Sequence, residues 1–212
     1  MTRMSQPLKT LSEAEVKEML RSRGITTTDF LLPTREELSR ISLRYPLAVK
    51  VSSPDILHKT EVGGVFLNVS TPQELVARYD EIISRFPQGK VLVESMEKTG
   101  PEAIVGLFRD RSFGMSIMTG LGGVMTELFR DVSFRKLPIS RLDALEMIEE
   151  TRLNSYFEGF RGFRADEDAF IDLLLKMSSW VEELKDLEQL DLNPIILREK
   201  GYVVLDAKMI IN

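Results

Sequence analysis

The feature that most constrains this chain is a strand–loop–strand pattern over residues 47–69. An apolar run over residues 47–51 is typical of a buried strand, and a second apolar run follows a polar loop. The loop contains His58, the only histidine in the chain, and the pair Gly63 and Gly64. A glycine pair lets backbone N–H groups approach phosphate oxygens closely, although it more often closes a hairpin turn. His58 is accordingly interpreted as either a surface residue or a reactive one.

Lys50 places a charge inside the first apolar run. A lysine in a buried strand needs an anionic partner, because burial otherwise lowers its pKa and removes its charge. That partner can be a protein carboxylate, which would make Lys50 a structural residue. It can also be a bound phosphate, which would make Lys50 part of a ligand site.

Composition argues against several classes of function. The net charge of −5 and the pI near 5.2 disfavour nucleic acid or an anionic membrane as the main partner. No apolar stretch reaches the length of about 18 residues that a membrane span needs. The absence of cysteine rules out disulfides and thiolate catalysis and fits a cytoplasmic location. With one histidine and no cysteine, any metal is expected to be a hard ion such as Mg²⁺ bound by oxygens.

Capping patterns and apolar periodicity divide the chain into two lobes. Capping boxes that begin at Ser12 and Thr34, and the proline after Thr71, predict three helix starts. The order helix, helix, strand, strand, helix, strand then predicts a compact α/β lobe. The predicted divisions are a loose N-terminus over residues 1–10, an N-terminal lobe over residues 11–96 and a C-terminal lobe over residues 97–212 that begins with a hinge at 97–101.

The C-terminal lobe is predicted to end in a hairpin that carries oxygen ligands. A long helix over residues 167–187 precedes two strands joined by a short turn. Asp191 and Asn193 are two residues apart and so point to the same face of the first strand, and Asp206 on the second strand could face them. Three such oxygens suit Mg²⁺, which usually takes one or two carboxylates together with substrate phosphates. A polar sheet face or a turn is the alternative explanation.

One motif closely resembles a known family signature. Residues 49–65 read VKVSSPDILHKTEVGGV, which is similar to the signature of the β subunits of ADP-forming acyl-CoA synthetases (acetate–CoA ligases). The similarity continues in Gly120-Leu121-Gly122-Gly123-Val124, in Asp131-Val132-Ser133-Phe134-Arg135 and in Leu190-Asp191-Leu192-Asn193-Pro194. It implies an α/β (α+β) ATP-grasp fold in which the nucleotide lies between two α/β lobes.

The resemblance also implies roles for individual residues. His58 matches the histidine that is phosphorylated in the family, and Lys50 matches the lysine on the nucleotide phosphates. Glu94 falls at the hinge that meets adenine and ribose. The matching magnesium positions are Asp191, Asn193 and Asp206. The other nucleotide-binding residues, of which the last two are placed by position alone, are Ser52, Gly63, Gly64, Glu102 and Arg109.

The implied reaction is acyl-CoA + ADP + phosphate ⇌ carboxylate + CoA + ATP, with Mg²⁺ and with ATP or ADP as a substrate. Because the chain has no CoA-binding glycine pattern and no second histidine, a separate CoA-binding α subunit is implied, in an α2β2 assembly. Asp55 and Glu61 are both candidates for orienting the imidazole of His58. A stand-alone ATP-grasp ligase and a non-catalytic regulatory nucleotide-binding module are the alternative functions.

Overall fold

The computed structural model describes residues 8–56, 59–123 and 131–212 and arranges them around two antiparallel sheets. The larger sheet has the order β1-β11-β9-β6-β7-β8, with β10 also paired to β9, and the smaller sheet has the order β2-β5-β3-β4. The strands are β1 Lys9–Leu11, β2 Phe30–Leu31, β3 Leu47–Ser52, β4 Val65–Val69, β5 Lys90–Ser95, β6 Glu102–Asp110, β7 Gly114–Leu121, β8 Val132–Lys136, β9 Leu187–Leu197, β10 Tyr202–Val204 and β11 Ala207–Ile211. The mixed α/β class predicted from the sequence is confirmed.

Five α-helices and one 3-10 helix lie in the described ranges. They are α1 Glu13–Ser22, the 3-10 helix Glu36–Arg40, α2 Pro72–Arg85, α3 Arg141–Glu149, α4 Asn154–Glu158 and α5 Glu167–Trp180. The capping box at Ser12 and the cap at Thr71 are confirmed, since both side chains accept a backbone N–H of the first turn. None of these helices is long and apolar enough to cross a membrane.

The predicted extent of the last helix is wrong. Helix α5 ends at Trp180, and the chain continues in turns until β9 begins at Leu187. The turns contain hydrogen bonds between residues three apart, such as the 3.1 Å bond from the Leu184 N–H to the Val181 carbonyl. Both of these side chains pack against the core, so their spacing imitates a continuing helix.

Strand β3 presents two different faces. Its side chains Leu47, Val49 and Val51 belong to the apolar cluster that α2 covers. Lys50 and Ser52 alternate with them and therefore point to the opposite face of the smaller sheet. The strand is buried along its whole length, which explains why its sequence looks almost uniformly apolar.

The beginning of the chain joins the larger sheet. Strand β1 pairs with β11, where Leu11 faces Met209, and Val16 and Leu20 of α1 pack in the core of the larger sheet. The prediction that residues 1–10 are loose is therefore wrong for Lys9 and Thr10, whose three-residue strand is too short to give a sequence signal. The lobe boundaries at residues 11 and 97 remain predictions.

The predicted terminal hairpin is in fact a group of three strands. The long strand β9 pairs with β10 along its C-terminal part and with β11 along its N-terminal part. Asp206 lies between β10 and β11 rather than on a strand. There the chain passes from pairing with the C-terminal part of β9 to pairing with its N-terminal part. The Asp206 carbonyl accepts the Asn193 N–H at 3.2 Å, which keeps the two residues side by side.

Candidate functional site

A cavity of about 360 Å³ lies where the smaller sheet, α1 and the terminal strands meet. It brings together four of the predicted site residues, which are Ser52, Asp191, Asn193 and Asp206. The other lining residues include Glu13, Lys59, Glu61 and Lys208. Residues more than 130 positions apart in the sequence thus line one cavity, as expected if both lobes contribute to a single site.

A cluster of six charges, called here the six-charge network, lies beside this cavity. It consists of three lysines and three carboxylates, which are Lys17, Lys50, Lys59, Glu13, Glu94 and Asp206. Its formal charges cancel. Burial is nearly complete for most members, with Lys17 0% exposed, Glu94 3% and Glu13 4%. Charges this buried are stable only when each one is paired.

Glu13, the first residue of α1, contacts all three lysines. Its Oε1 lies 2.9 Å from the Lys17 Nζ and 3.0 Å from the Lys50 Nζ, and its Oε2 accepts a hydrogen bond from Lys59. The lysines come from a helix, a strand and a loop. Glu13 therefore ties the N-terminal helix to the strand and the loop that carry the predicted site.

Glu94 is the second hub of the network. It pairs with Lys17, lies 2.5 Å from the Lys50 Nζ and accepts a hydrogen bond from the Thr28 hydroxyl. It does not line the cavity. In this arrangement Glu94 holds lysines, and its predicted contact with adenine and ribose stays a prediction.

Lys50 uses its full donor capacity inside the protein. Its ammonium group reaches Glu13, Glu94 and the Leu205 carbonyl, the last at 3.1 Å. An ammonium has three N–H donors, so all of them are engaged. The expectation that a lysine in this strand needs an anionic partner is met by carboxylates. To bind a phosphate, Lys50 must exchange one of these partners.

The network shifts the pKa of its members in directions that depend on the balance between burial and neighbouring charges. Burial acts to raise the pKa of Glu13, but Lys50, Lys17 and Lys59 outweigh it and hold that pKa well below its usual value. Burial acts to lower the pKa of Lys50, but Glu13 and Glu94 raise it above its usual value. The pKa of Asp206 is raised by burial and by Glu13, against the attraction of Lys50 and Lys59.

The predicted metal ligands already have partners of their own. The Gln189 side chain donates to Asp191 at 2.6 Å, the Gly123 N–H donates to the Asn193 side-chain oxygen at 2.8 Å, and Lys59 donates to Asp206 at 2.9 Å. Burial raises the pKa of Asp191.

The donor set fits Mg²⁺ only together with a ligand. In the described ranges no three His, Cys, Asp or Glu side chains are grouped so that they could hold a metal ion. Two carboxylates and one amide oxygen nevertheless line one cavity, and Mg²⁺ is usually bound by one or two carboxylates plus substrate phosphates. Asp191, Asn193 and Asp206 would hold the ion from the protein side.

Gly63 and Gly64 close a turn in this structure. The Gly63 N–H donates to the Thr60 carbonyl and the Gly64 N–H donates to the Lys59 carbonyl, so neither amide is directed at a ligand. A Cβ at Gly64 would lie 2.6 Å from a methyl of Val51. Glycine is required here for close packing of the loop on β3, as in a hairpin turn, and the predicted phosphate contact of Gly63 and Gly64 stays a prediction.

Glu102 and Arg109 lie apart from the cavity lining. The Glu102 carbonyl accepts the Gly122 N–H, and a Cβ at Gly123 would lie 1.7 Å from a Glu102 carboxylate oxygen, so Glu102 packs against the glycine run. Arg109 pairs with Glu188 at 3.1 Å. Their predicted nucleotide contacts remain predictions.

His58 lies outside the described residues. The residue after it, Lys59, is described and lines the cavity. Of the two carboxylates proposed to orient the imidazole, Glu61 lines the cavity and Asp55 does not.

Sequence reasoning missed Glu13, Lys17 and Lys59. Glu13 and Lys17 are four residues apart in a helix with Glu first, a spacing that normally indicates an exposed ion pair. The burial of both depends on how α1 packs against a distant sheet, so the local pattern contains no signal for it. Lys59 carries such a signal, because it adjoins the only histidine.

The fold and the cavity agree with the comparisons to known proteins. The family model described as ATP-grasp domain matches residues 3–211, so the chain belongs to the ATP-grasp family. Among curated relatives, the acetate–CoA ligase [ADP-forming] II subunit beta of Pyrococcus furiosus is 37% identical over 98% of this chain and 94% of its own length. Within the ATP-grasp family, the chain is thus grouped with β subunits of ADP-forming acetate–CoA ligases.

Solved structures give the same grouping. Acetyl-coenzyme A synthetase 1 of Ca. Korarchaeum cryptofilum, in complex with coenzyme A and Ca-AMPCP, matches with a TM-score of 0.89 and 39% identity over 96% of this chain and 94% of that one. Another structure of that enzyme, with coenzyme A and Mg-AMPPCP, matches with a TM-score of 0.84 and 40% identity over 96% and 93% of the two chains. Its phosphohistidine segment points towards the nucleotide binding site.

Proposed function

We propose that this chain is the nucleotide-binding β subunit of an ADP-forming acyl-CoA synthetase. It accepts a phosphoryl group on His58 and passes it to Mg-ADP, so that the energy of a thioester is conserved as ATP. The observation that carries the proposal is the cavity in which Ser52, Asp191, Asn193 and Asp206 meet. Lys59, the residue that follows His58 in the sequence, lines the same cavity.

The chemistry of the cavity suits phosphoryl transfer. In that step the N–P bond of phosphohistidine breaks and a P–O bond to the terminal ADP oxygen forms, which leaves a free imidazole. Such transfers depend mainly on alignment and on neutralising the phosphate charges. When bound, Mg²⁺ supplies part of that neutralisation. Lys59 and Lys208 in the cavity wall supply cationic groups from the protein.

Histidine suits the carrier role because an imidazole is largely neutral and nucleophilic near pH 7. Its location in a loop also suits it, since a carrier must reach a site on another subunit. The Korarchaeum structure with Mg-AMPPCP supports this assignment, because its phosphohistidine segment points towards the nucleotide site.

The remaining parts of the proposal concern the partner and the location. The chain is proposed to need a CoA-binding α subunit, in an α2β2 assembly, because the relative of similar length is named as a β subunit. A cytoplasmic location is proposed because the chain contains no cysteine, as is common in a reducing compartment.

The histidine is tested by phosphate labelling. The β chain is incubated with its α subunit and with ATP labelled in the γ-phosphate, and acid-labile protein label is measured. We expect label on the wild-type β chain and none on His58→Ala. Persistence of the label in His58→Ala would refute the carrier role, and so would the absence of label from the wild-type chain with an active partner.

The metal site is tested by calorimetry. Asp206→Asn and Asp191→Asn are expected to weaken binding of Mg-ADP more than binding of ADP alone, since each removes a carboxylate from the cavity. Asp80→Asn, on an exposed ion pair with Arg35, is the control and should bind as the wild type does. Equal Mg-ADP affinity in all four proteins would contradict the metal assignment.

A further inference from the structure

We propose that Lys59 acts as a displaceable internal cation at the metal site. Its ammonium group holds Asp206 while the cavity lacks Mg-nucleotide, and arrival of Mg-nucleotide drives it off and frees the chain next to His58. This inference rests on the proposed function, because it takes Asp206 as a ligand of the metal.

The geometry places the ammonium where a metal would compete with it. The Lys59 Nζ lies 2.9 Å from the Asp206 Oδ1 and also contacts Glu13. Both carboxylates line the cavity. The side chain of Asp206 is 35% exposed and that of Lys59 is 12% exposed, so Asp206 stays partly open to solvent while Lys59 is mostly buried.

Charge balance explains why the Lys59 ammonium and a divalent ion exclude each other at Asp206. The six-charge network has three ammonium groups and three carboxylates. When a divalent ion takes Asp206, three ammonium groups share Glu13 and Glu94. One ammonium is then without a counter-charge in a poorly hydrated region, and it is also repelled by the ion.

Lys59 is the member that can leave. Lys17 is fixed in α1 and Lys50 in β3, whereas Lys59 lies in a turn between β3 and β4. Its side chain is also the most exposed of the three lysines. The phosphates of the nucleotide offer it a new counter-charge within the same cavity.

For the proposed reaction, binding of Mg-nucleotide in the cavity is thereby coupled to release of residue 59 from Asp206. Residues 58 and 59 are consecutive, so their Cα atoms stay about 3.8 Å apart and one cannot move far without the other. Displacing Lys59 therefore breaks the ion pair that holds residue 59, the neighbour of His58, when the acceptor nucleotide is bound. Thermodynamic linkage makes the effect reciprocal, so that movement of the segment also changes the affinity for Mg-nucleotide.

The test follows lysine ammonium groups by ¹H–¹⁵N NMR of the intact chain. The signal of Lys59 is assigned by its loss in Lys59→Met, and spectra are recorded without ligand, with ADP and with Mg-ADP. We expect the Lys59 signal to shift or disappear with Mg-ADP. The signal of Lys17, which contacts Glu13 and Glu94 but does not itself line the cavity, should persist and serves as the internal control.

A second measurement uses variants. With ADP saturating, Lys59→Met should bind Mg²⁺ about tenfold more tightly, because an uncompensated buried carboxylate gains more from a cation. Lys208→Met is the matched control, since Lys208 lines the same cavity but its charge acts on Asp191. Its effect should be smaller.

The outcomes separate the two proposals. An unchanged Lys59 signal at saturating Mg-ADP, with binding that still depends on Asp206, would refute the displacement and leave the proposed function intact. Equal Mg-ADP binding in the wild type and Asp206→Asn would contradict the metal role of Asp206 and would also refute the displacement that depends on it. If Lys59→Met and Lys208→Met increased the Mg²⁺ affinity equally, the increase would reflect only the loss of a positive charge near the cavity. That result would also refute displacement.

Discussion

Replacing Glu13 by Gln tests the idea that one buried carboxylate joins three elements of the protein. The substitution keeps the shape of the side chain but removes its charge. The network then holds three ammonium groups against two carboxylates, Glu94 and Asp206. Because Glu13 is 4% exposed, water cannot restore the lost balance.

The expected loss of stability is about 3 kcal/mol, the lower end of the range for breaking a buried ion pair. The single Gln oxygen can still accept hydrogen bonds from Lys17 and Lys50, which share one Glu13 oxygen, whereas the amide NH2 in place of the other oxygen cannot accept one from Lys59. The expected loss is a large part of the 5–15 kcal/mol by which a domain is typically stable. The measurement is the free energy of unfolding from urea titrations at pH 7, with the slope of the transition compared between variants to confirm that the same surface unfolds.

A double variant makes the test specific. Glu13→Gln together with Lys17→Met removes one charge of each sign and leaves two ammonium groups facing two carboxylates. Its destabilisation should be smaller than the sum of the two single effects. Additive effects, or a Glu13→Gln chain as stable as one with the exposed control change Asp80→Asn, would refute the network as a cooperative unit.

Three further outcomes follow from individual contacts. The pKa of Glu94 is held below its usual value of 4.5 because Lys50 and Lys17 outweigh burial, so Glu94 stabilises the folded chain above that pH and loses this effect as the pH falls further. The difference in unfolding free energy between wild type and Glu94→Gln, measured by urea unfolding, should therefore shrink below about pH 4.5. A difference that grew there would contradict the pairing. Gly64→Ala should destabilise the chain by about 1–3 kcal/mol through its clash with Val51, and Val51→Ala in the same chain should recover part of that loss; no recovery would exclude the clash as the cause. Arg109→Ala should lower the calorimetric affinity for Mg-ADP if the predicted nucleotide contact exists, whereas an unchanged affinity would limit Arg109 to its ion pair with Glu188.

Local patterns predicted two of the three helix starts, whereas the pattern at Thr34 precedes only a short 3-10 helix without a side-chain cap. The capping box at Ser12 and the Thr71-Pro72 start both begin helices, because the groups that decide a helix start lie within four residues of it. The end of α5 was not predictable in the same way. Turns with a three-residue repeat continue its apolar pattern, because Val181 and Leu184 still pack against the core after the helix has ended.

Long-range placement was predictable only where a motif marked it. Asp191, Asn193 and Asp206 were expected to converge from their spacing, and they line one cavity although Asp206 is not on a strand. The burial of Glu13 and Lys17 depends on partners far along the chain, since Lys50 lies 37 residues from Glu13 and Glu94 lies 77 residues from Lys17, so no local sequence window could indicate it.

The position of the network also bears on how the two sheets can move. The core of the larger sheet and the core of the smaller sheet are separate apolar clusters, and the cluster of Ala14, Phe30 and Leu92 adds only a small apolar contact near α1. Across that junction, charges rather than a continuous core connect α1 with β3 and β5. Ion pairs can exchange partners, whereas a packed apolar core resists any small displacement. Since Glu13 and Asp206 belong both to this junction and to the cavity wall, a ligand that changes their partners also changes what holds the two sheets together.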